Sequence, residues 1–229
     1  RELAERFGAT ADFVPAAGPG VPADRLELFL GVRESLAGPR QELQTAIAGL
    51  APTTGAGGFV RGLGAARAGL RIAPTAIDFV GARNRALLDA GMGLGEYTWL
   101  YWLVYHAWLG HPVDDSLLHE LMAAHEAEDG ATEMRIEGGP EREQLVRHLR
   151  ADVTAMLHNL EGRLAADPGR PPLLDAVRSE LAALAADPER LPFADGLPAP
   201  LATGLEPWRD RLEGCYSKAT NPFELYGLD

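Results

Sequence analysis

Cysteine is nearly absent from this sequence. Cys215 is the single one in 229 residues, so no disulfide forms within the chain and cohesion has to come from an apolar core. The length suffices for one such core without covalent or metal staples. Basic residues are in deficit: 21 Lys and Arg against 33 Asp and Glu give a net charge of −12. That negative field argues against nucleic acid as a partner. No apolar run reaches the ~20 residues of a transmembrane helix, so no span is expected within the chain.

Catalytic signatures are missing as well. There is no GxSxG elbow, no HExxH, no Glu-x-x-His pair, no Cys-x-x-Cys-His and no GK[ST] after a glycine-rich loop. The serines at 35, 116, 179 and 217 have no base signature beside them. Few segments alternate with period two and no period of 20 to 50 residues recurs, which disfavours sheets and solenoids.

What is present is a concentration of aromatics. GEYTWLYWLVYHAWLGH, from Gly95 to His111, holds three of the four tryptophans and three of the five tyrosines. A helix that is apolar all round is either the centre of a core or lies in a membrane, and the stretch from Tyr97 to Leu109 spans only about 20 Å as a helix. The fold class expected is therefore all-α: a single irregular multi-helix bundle around a central aromatic-rich helix at about Pro74 to Gly110. Gly91, Gly93 and Gly95 mark where that helix should kink or break.

The rest of the chain covers this centre as one helical domain over 1–229. Residues 1–24 read as an N-terminal arm, a short helix followed by a loop rich in Pro and Gly. A helix from Pro22 or Asp24 carries Leu26, Phe29, Leu30, Arg33 and Leu36 on one face, and a second begins at Pro39 and runs to Leu50. The Gly/Ala-rich segment before Pro74 keeps helical spacing and suits close packing, while Pro74 suits the first turn of a new helix. An acidic helix over 113–129, an ambiguous strand or loop over 131–139, and helices over 140–166 and 173–186 follow. The last helix is expected from about Ala199 to Lys218, with Cys215 as a small buried hydrophobe. Segments 187–200 and 219–229 read as ordered, proline-containing stretches packed on the body.

Candidate sites come from charge and polarity at apolar positions. Arg85, Asp89, Met92 and Glu96 share a helix face that leads into the aromatic core. A carboxylate there must be paired or take up a proton, and Arg33, stranded on its own apolar stripe, or another arginine is the expected partner. Arg33, Arg85, Asp89 and Glu96 are thus the buried ion-pair candidates. Trp99, Trp102, Tyr105 and His106 are the candidate lining of a cavity, against the plainer reading of packed aromatics and a hydrogen-bonded core histidine. His119 and His125 are six apart and point to different helix faces; His148 with Asp152 and His158 with Glu161 suit surface pairs. No catalytic residue, metal site or cofactor is assigned.

These readings favour a non-enzymatic helical accessory or binding protein that docks on a protein partner or membrane complex. The chain opens at Arg1 without Met, and RELAERF lacks the apolar core of a signal peptide. A tether upstream of residue 1 and a periplasmic or extracytoplasmic location are the corresponding expectations. The alternative is a carrier of an apolar small molecule or lipid in a cavity lined by the aromatic helix. A second alternative is a metal-dependent enzyme using Glu96 and histidines.

Overall fold

A computed structural model describes residues 2–18, 20–48, 58–113, 140–166, 169 and 171–225, of which 58–73, 140–145, 171 and 222 are described by backbone alone. Among the described residues every regular element is helical and no strand occurs. The elements are α1 (Glu2–Phe7), α2 (Ala23–Ser35), α3 (Ala37–Ala48), α4 (Gly58–Ala90), α5 (Leu94–Tyr101), α6 (Pro140–Ala165), α7 (Pro171–Ala186), α8 (Ala199–Ala202), α9 (Arg209–Gly214) and α10 (Asn221–Leu225). The acidic helix expected over 113–129 and the ambiguous stretch over 131–139 lie, apart from residue 113, outside the described residues.

The segment expected at about Pro74 to Gly110 is two elements. Helix α4 runs straight through Pro74, which is internal to it and not the start of a new helix. It closes in a turn where Met92 N–H donates to the Leu87 carbonyl at 2.9 Å, and α5 restarts at Leu94. The break therefore falls among the glycines. From Trp102 to Trp108 the chain continues as a π-helix, with the Leu109 N–H on the Val104 carbonyl five residues back at 2.9 Å. The wider turn brings Tyr101 and His106, five apart, to 5.8 Å between ring centroids.

This aromatic helix lies at the centre. Tyr97, Tyr101, Leu103, Val104 and Tyr105 are wholly inaccessible, and Trp99, Leu100 and Trp102 nearly so. Apolar stripes of the other helices share its core cluster: Leu26, Phe29 and Leu30 from α2, Phe79 and Leu87 from α4, and Val153, Met156, Leu157 and Leu160 from α6. Truncating any one of these to alanine removes about 2–5 kcal/mol. Helices α3 with α4, and α6 with α7, are the principal neighbours in contact.

The C-terminal part is more broken than its apolar spacing predicts. In place of one helix from Ala199 to Lys218 there are α8, a 3-10 turn at Glu206–Trp208 and α9. Gly204, at φ +87, and Pro207 interrupt continuous winding. The apolar stripe is nevertheless kept, with Leu201, Leu205, Leu212 and Cys215 all buried. Segment 187–200 is fixed by Phe193, which has a positive φ of 60. A bulky residue holds that conformation only when its surroundings determine it: its ring is buried against the edge of Trp99, and its N–H donates to Glu180 Oε1 at 2.7 Å.

Helix α10 closes the bundle by inserting a charge. Glu224 is wholly buried, ion-paired with the equally buried Arg33 and, at 3.4 Å, with Arg40. The Tyr97 hydroxyl donates at 2.6 Å to Oε2, the carboxylate oxygen that Arg33 also meets, and accepts from Arg33 Nη1 at 3.1 Å, while Arg40 is on Oε1. Arg33 also donates to the Cys215 carbonyl and lies over the rings of Tyr101 and Tyr105 at 4.9 and 5.1 Å. Arg83 reaches the Phe223 and Glu224 carbonyls at 3.2 and 2.8 Å. Burial alone would push the Glu224 carboxyl up, but Arg33 and Arg40 outweigh it and hold the group below its ordinary range.

Removing one partner of a buried pair costs about 3–5 kcal/mol, because the other charge stays buried without compensation. Glu224→Gln is accordingly expected to lower the unfolding free energy by about that amount. Urea denaturation followed by circular dichroism checks it; an unchanged midpoint would contradict the network described.

Candidate binding site

The N-terminal arm crosses the start of α5 and leaves a recess beneath it. The crossing requires glycine at residue 95, where a Cβ would come within 2.6 Å of the Thr10 carbonyl oxygen and 2.7 Å of the Phe13 Cβ. Further along the arm, Gly20 has φ +72, and a Cβ there would meet the Thr203 carbonyl oxygen at 2.1 Å. Only glycine combines that dihedral with that approach. Helix α6 holds the arm from the other side: Asn159 Nδ2 donates to the Ala11 and Phe13 carbonyls, both at 3.1 Å.

The recess measures about 190 Å³ and is partly open to solvent. Phe13, Val14 and Val21 of the arm, Trp99, Leu100 and Leu103 of the aromatic helix, and Leu201 of α8 give it an apolar wall. For scale, a cavity of about 150 Å³ holds a benzene molecule. Its polar lining is confined to Arg25, Glu96 and Arg163.

Arg25 and Glu96 form a two-pronged ion pair. Nε donates to Oε1 at 2.6 Å and Nη2 donates to Oε2, with side-chain exposures of 28% and 15%. Parallel bonds of this kind fix geometry as well as charge. The Glu96 hydrogen bond, outweighing the effect of burial, holds the Arg25 guanidinium above its ordinary range. Arg163 is bound differently: Nη1 donates to the Val14 and Pro15 carbonyls at 3.5 and 3.3 Å, and among the described residues no carboxylate pairs with it.

The residues singled out from the sequence separate into distinct places. Arg33 is not the partner of Glu96. It lies eight residues beyond Arg25 on α2, about 12 Å along the axis, and its charge is met by Glu224. Arg85 and Asp89 are exposed on α4, because the break at Gly91 ends the helix face that would have carried them towards Glu96. Trp99 lines the recess. Trp102, Tyr105 and His106 do not line it; Trp102 Nε1, the Tyr105 hydroxyl and His106 Nδ1 are used on backbone carbonyls, while His106 Nε2 is buried with no hydrogen-bond partner among the described residues. Trp102 Nε1 and the Tyr105 hydroxyl donate to the Pro192 and Leu212 carbonyls at 3.1 and 3.0 Å, and His106 Nδ1 faces the His111 carbonyl at 2.9 Å. That bond sets the tautomer with the proton on Nδ1.

Sequence reasoning missed Arg25, Arg40, Arg83 and Glu224. Arg40 and Arg83 carried the same signal that picked out Arg33. Each occupies an apolar stripe, Arg40 between Leu36 and Leu43 and Arg83 between Phe79 and Leu87. Glu224 is likewise the one acid between Phe223 and Leu225. Arg25 lies beside its helix's apolar stripe and carries no such mark.

Among the described residues no group of three or more His, Cys, Asp and Glu side chains is placed to hold a metal ion, and no helix is long and apolar enough to cross a membrane. His119 and His125 lie outside the described residues. No protein-family model, curated protein or solved structure matches this chain.

Burial lowers the His106 pKa from 6.5 to about 4, against a smaller opposing effect of the His111 carbonyl. The unfolded chain therefore binds a proton between those values that the folded chain does not, so stability falls as pH drops through this window. The difference corresponds to about 3 kcal/mol. Glu224, whose folded pKa is depressed, adds a separate loss at lower pH, beginning near its unfolded value. Urea midpoints measured from pH 7 to 4 should fall for the native sequence and fall less for His106→Gln; parallel profiles would show that His106 is not buried in its neutral form.

Proposed function

We propose that the protein is a non-enzymatic helical binding protein whose ligand seats in the recess beneath the N-terminal arm. The observation that carries this reading is a preformed apolar hollow with a rigid rim. Gly20, Gly95 and Asn159 fix the arm by close backbone approach and hydrogen bonds, so little ordering cost remains for the ligand to meet. The lining contains no Ser, Cys, His or Lys, and its single carboxylate has both oxygens bound by Arg25. These features favour holding a ligand over transforming it. The volume suits one ring-sized apolar group.

A second reading uses the same seat: an accessory protein docking on a larger assembly, with an apolar side chain of the partner in the recess. Val14 favours it, being a lining residue that is 43% exposed and so available to a partner at the rim.

Titration of ¹⁵N-labelled protein with benzyl alcohol tests the seat without presuming the natural ligand. Shifts are expected at the backbone amides of Val14, Trp99, Leu100 and Leu201, and at the Trp99 indole. Ala16→Trp, a substitution at an exposed lining position, should fill the hollow and reduce these shifts at least several-fold while leaving the fold intact. Absence of shifts in the native protein, or shifts that persist unchanged in A16W, would overturn the reading.

A further inference from the structure

The charge in the recess selects among ring-sized ligands. Two guanidinium groups, Arg25 and Arg163, share the lining with one carboxylate, Glu96. Glu96 is spent on Arg25 through both oxygens. Arg163 is exposed and, among the described residues, meets the Val14 and Pro15 carbonyls alone, which are dipoles and leave its charge uncancelled. The local balance is therefore one positive charge beside an apolar hollow, in a chain whose net charge is −12. A neutral ligand would leave that charge unused, and a cation would be repelled by it.

Resting on the binding reading above, we propose that the recess takes a small monocarboxylic acid with a ring or branched apolar body. Its hydrocarbon part packs against Trp99, Leu100, Leu103 and Leu201, and its carboxylate meets Arg163 at the rim. Arg25 Nη1, which has no acceptor among the described residues, is the second donor. An arginine suits this task because its planar fork offers paired donors to a carboxylate. Glu96 holds the Arg25 guanidinium in place and keeps a second anion from entering deeper.

Four probes of similar size decide the matter: phenylacetate, benzoate, benzyl alcohol and benzylamine, each titrated into the native chain and into Arg163→Gln at low ionic strength. Phenylacetate or benzoate should bind roughly ten-fold more tightly than benzyl alcohol, with benzylamine weakest, since a charge-assisted hydrogen bond contributes about that factor. R163Q should remove most of the carboxylate preference and leave the alcohol unaffected, and added salt should narrow the preference in the native chain. If benzyl alcohol binds but the carboxylates bind no better, or if R163Q keeps the preference, the acid specificity is wrong and the binding reading stands. If none of the four perturbs the recess residues, both fail.

Discussion

The Glu224 carboxylate is shared by two buried arginines, Arg33 and Arg40, while a third, Arg83, reaches the backbone carbonyl of the same residue, and the closure of the bundle depends on this residue. Arg33, Arg40 and Arg83 come from α2, α3 and α4, three helices consecutive in the chain. Burying a guanidinium without a partner is costly, and one carboxylate carries one charge against the two of Arg33 and Arg40. Among the described residues the three guanidinium groups also reach dipoles and π-faces: the carbonyls of Arg33, Cys215, Phe223 and Glu224, and the rings of Tyr101 and Tyr105. Nearly all of these partners lie on the aromatic helix or in the last fifteen residues of the chain. The helices that precede the aromatic helix are thus bound to it through groups supplied by the C-terminal segment.

This arrangement places the recess. With Tyr97 held between Arg33 and Glu224, the rotation of α5 is fixed, and residues two and three positions on, Trp99 and Leu100, are turned away from the network towards the arm. Glu96, on the same side, reaches Arg25 at the start of α2. One helix therefore presents an interior face of tyrosines to a buried polar network and an outer face to an apolar hollow. In the π-helical turn beyond it, Trp102 and Tyr105 donate to carbonyls of distant segments and His106 Nδ1 to that of His111 five residues on.

The fold class and the central position of the aromatic stretch were legible from composition and spacing, because a segment apolar on every side and too short to span a bilayer is placed in a core. The region of the break was also marked, by Gly91, Gly93 and Gly95, and it falls between Ala90 and Leu94. The continuity of α4 through Pro74 was not: local propensity favours a helix start there, and packing of α4 against α2 and α3 overrides it. Arg33 was legible as a buried cation, yet its partner was not, since Glu224 is separated from it by most of the chain and no periodicity records such a pairing. The recess was half legible. Trp99 was recognisable as a cavity-lining candidate and Glu96 as a carboxylate in need of an arginine, which is Arg25, whereas the arm that roofs them is held by backbone approach at Gly20 and Gly95, and backbone contacts between remote segments leave little trace in side-chain pattern.

The claim on which all of this rests is that the C-terminal helix is a structural member of the core and not an appendage. Native-state hydrogen exchange of the amides of Phe223, Glu224 and Leu225 tests it directly. The account predicts that they exchange only through opening of the whole bundle, with the same free energy as amides of the aromatic helix. Exchange at the rate of an unstructured peptide, while the aromatic helix stays protected, would contradict it.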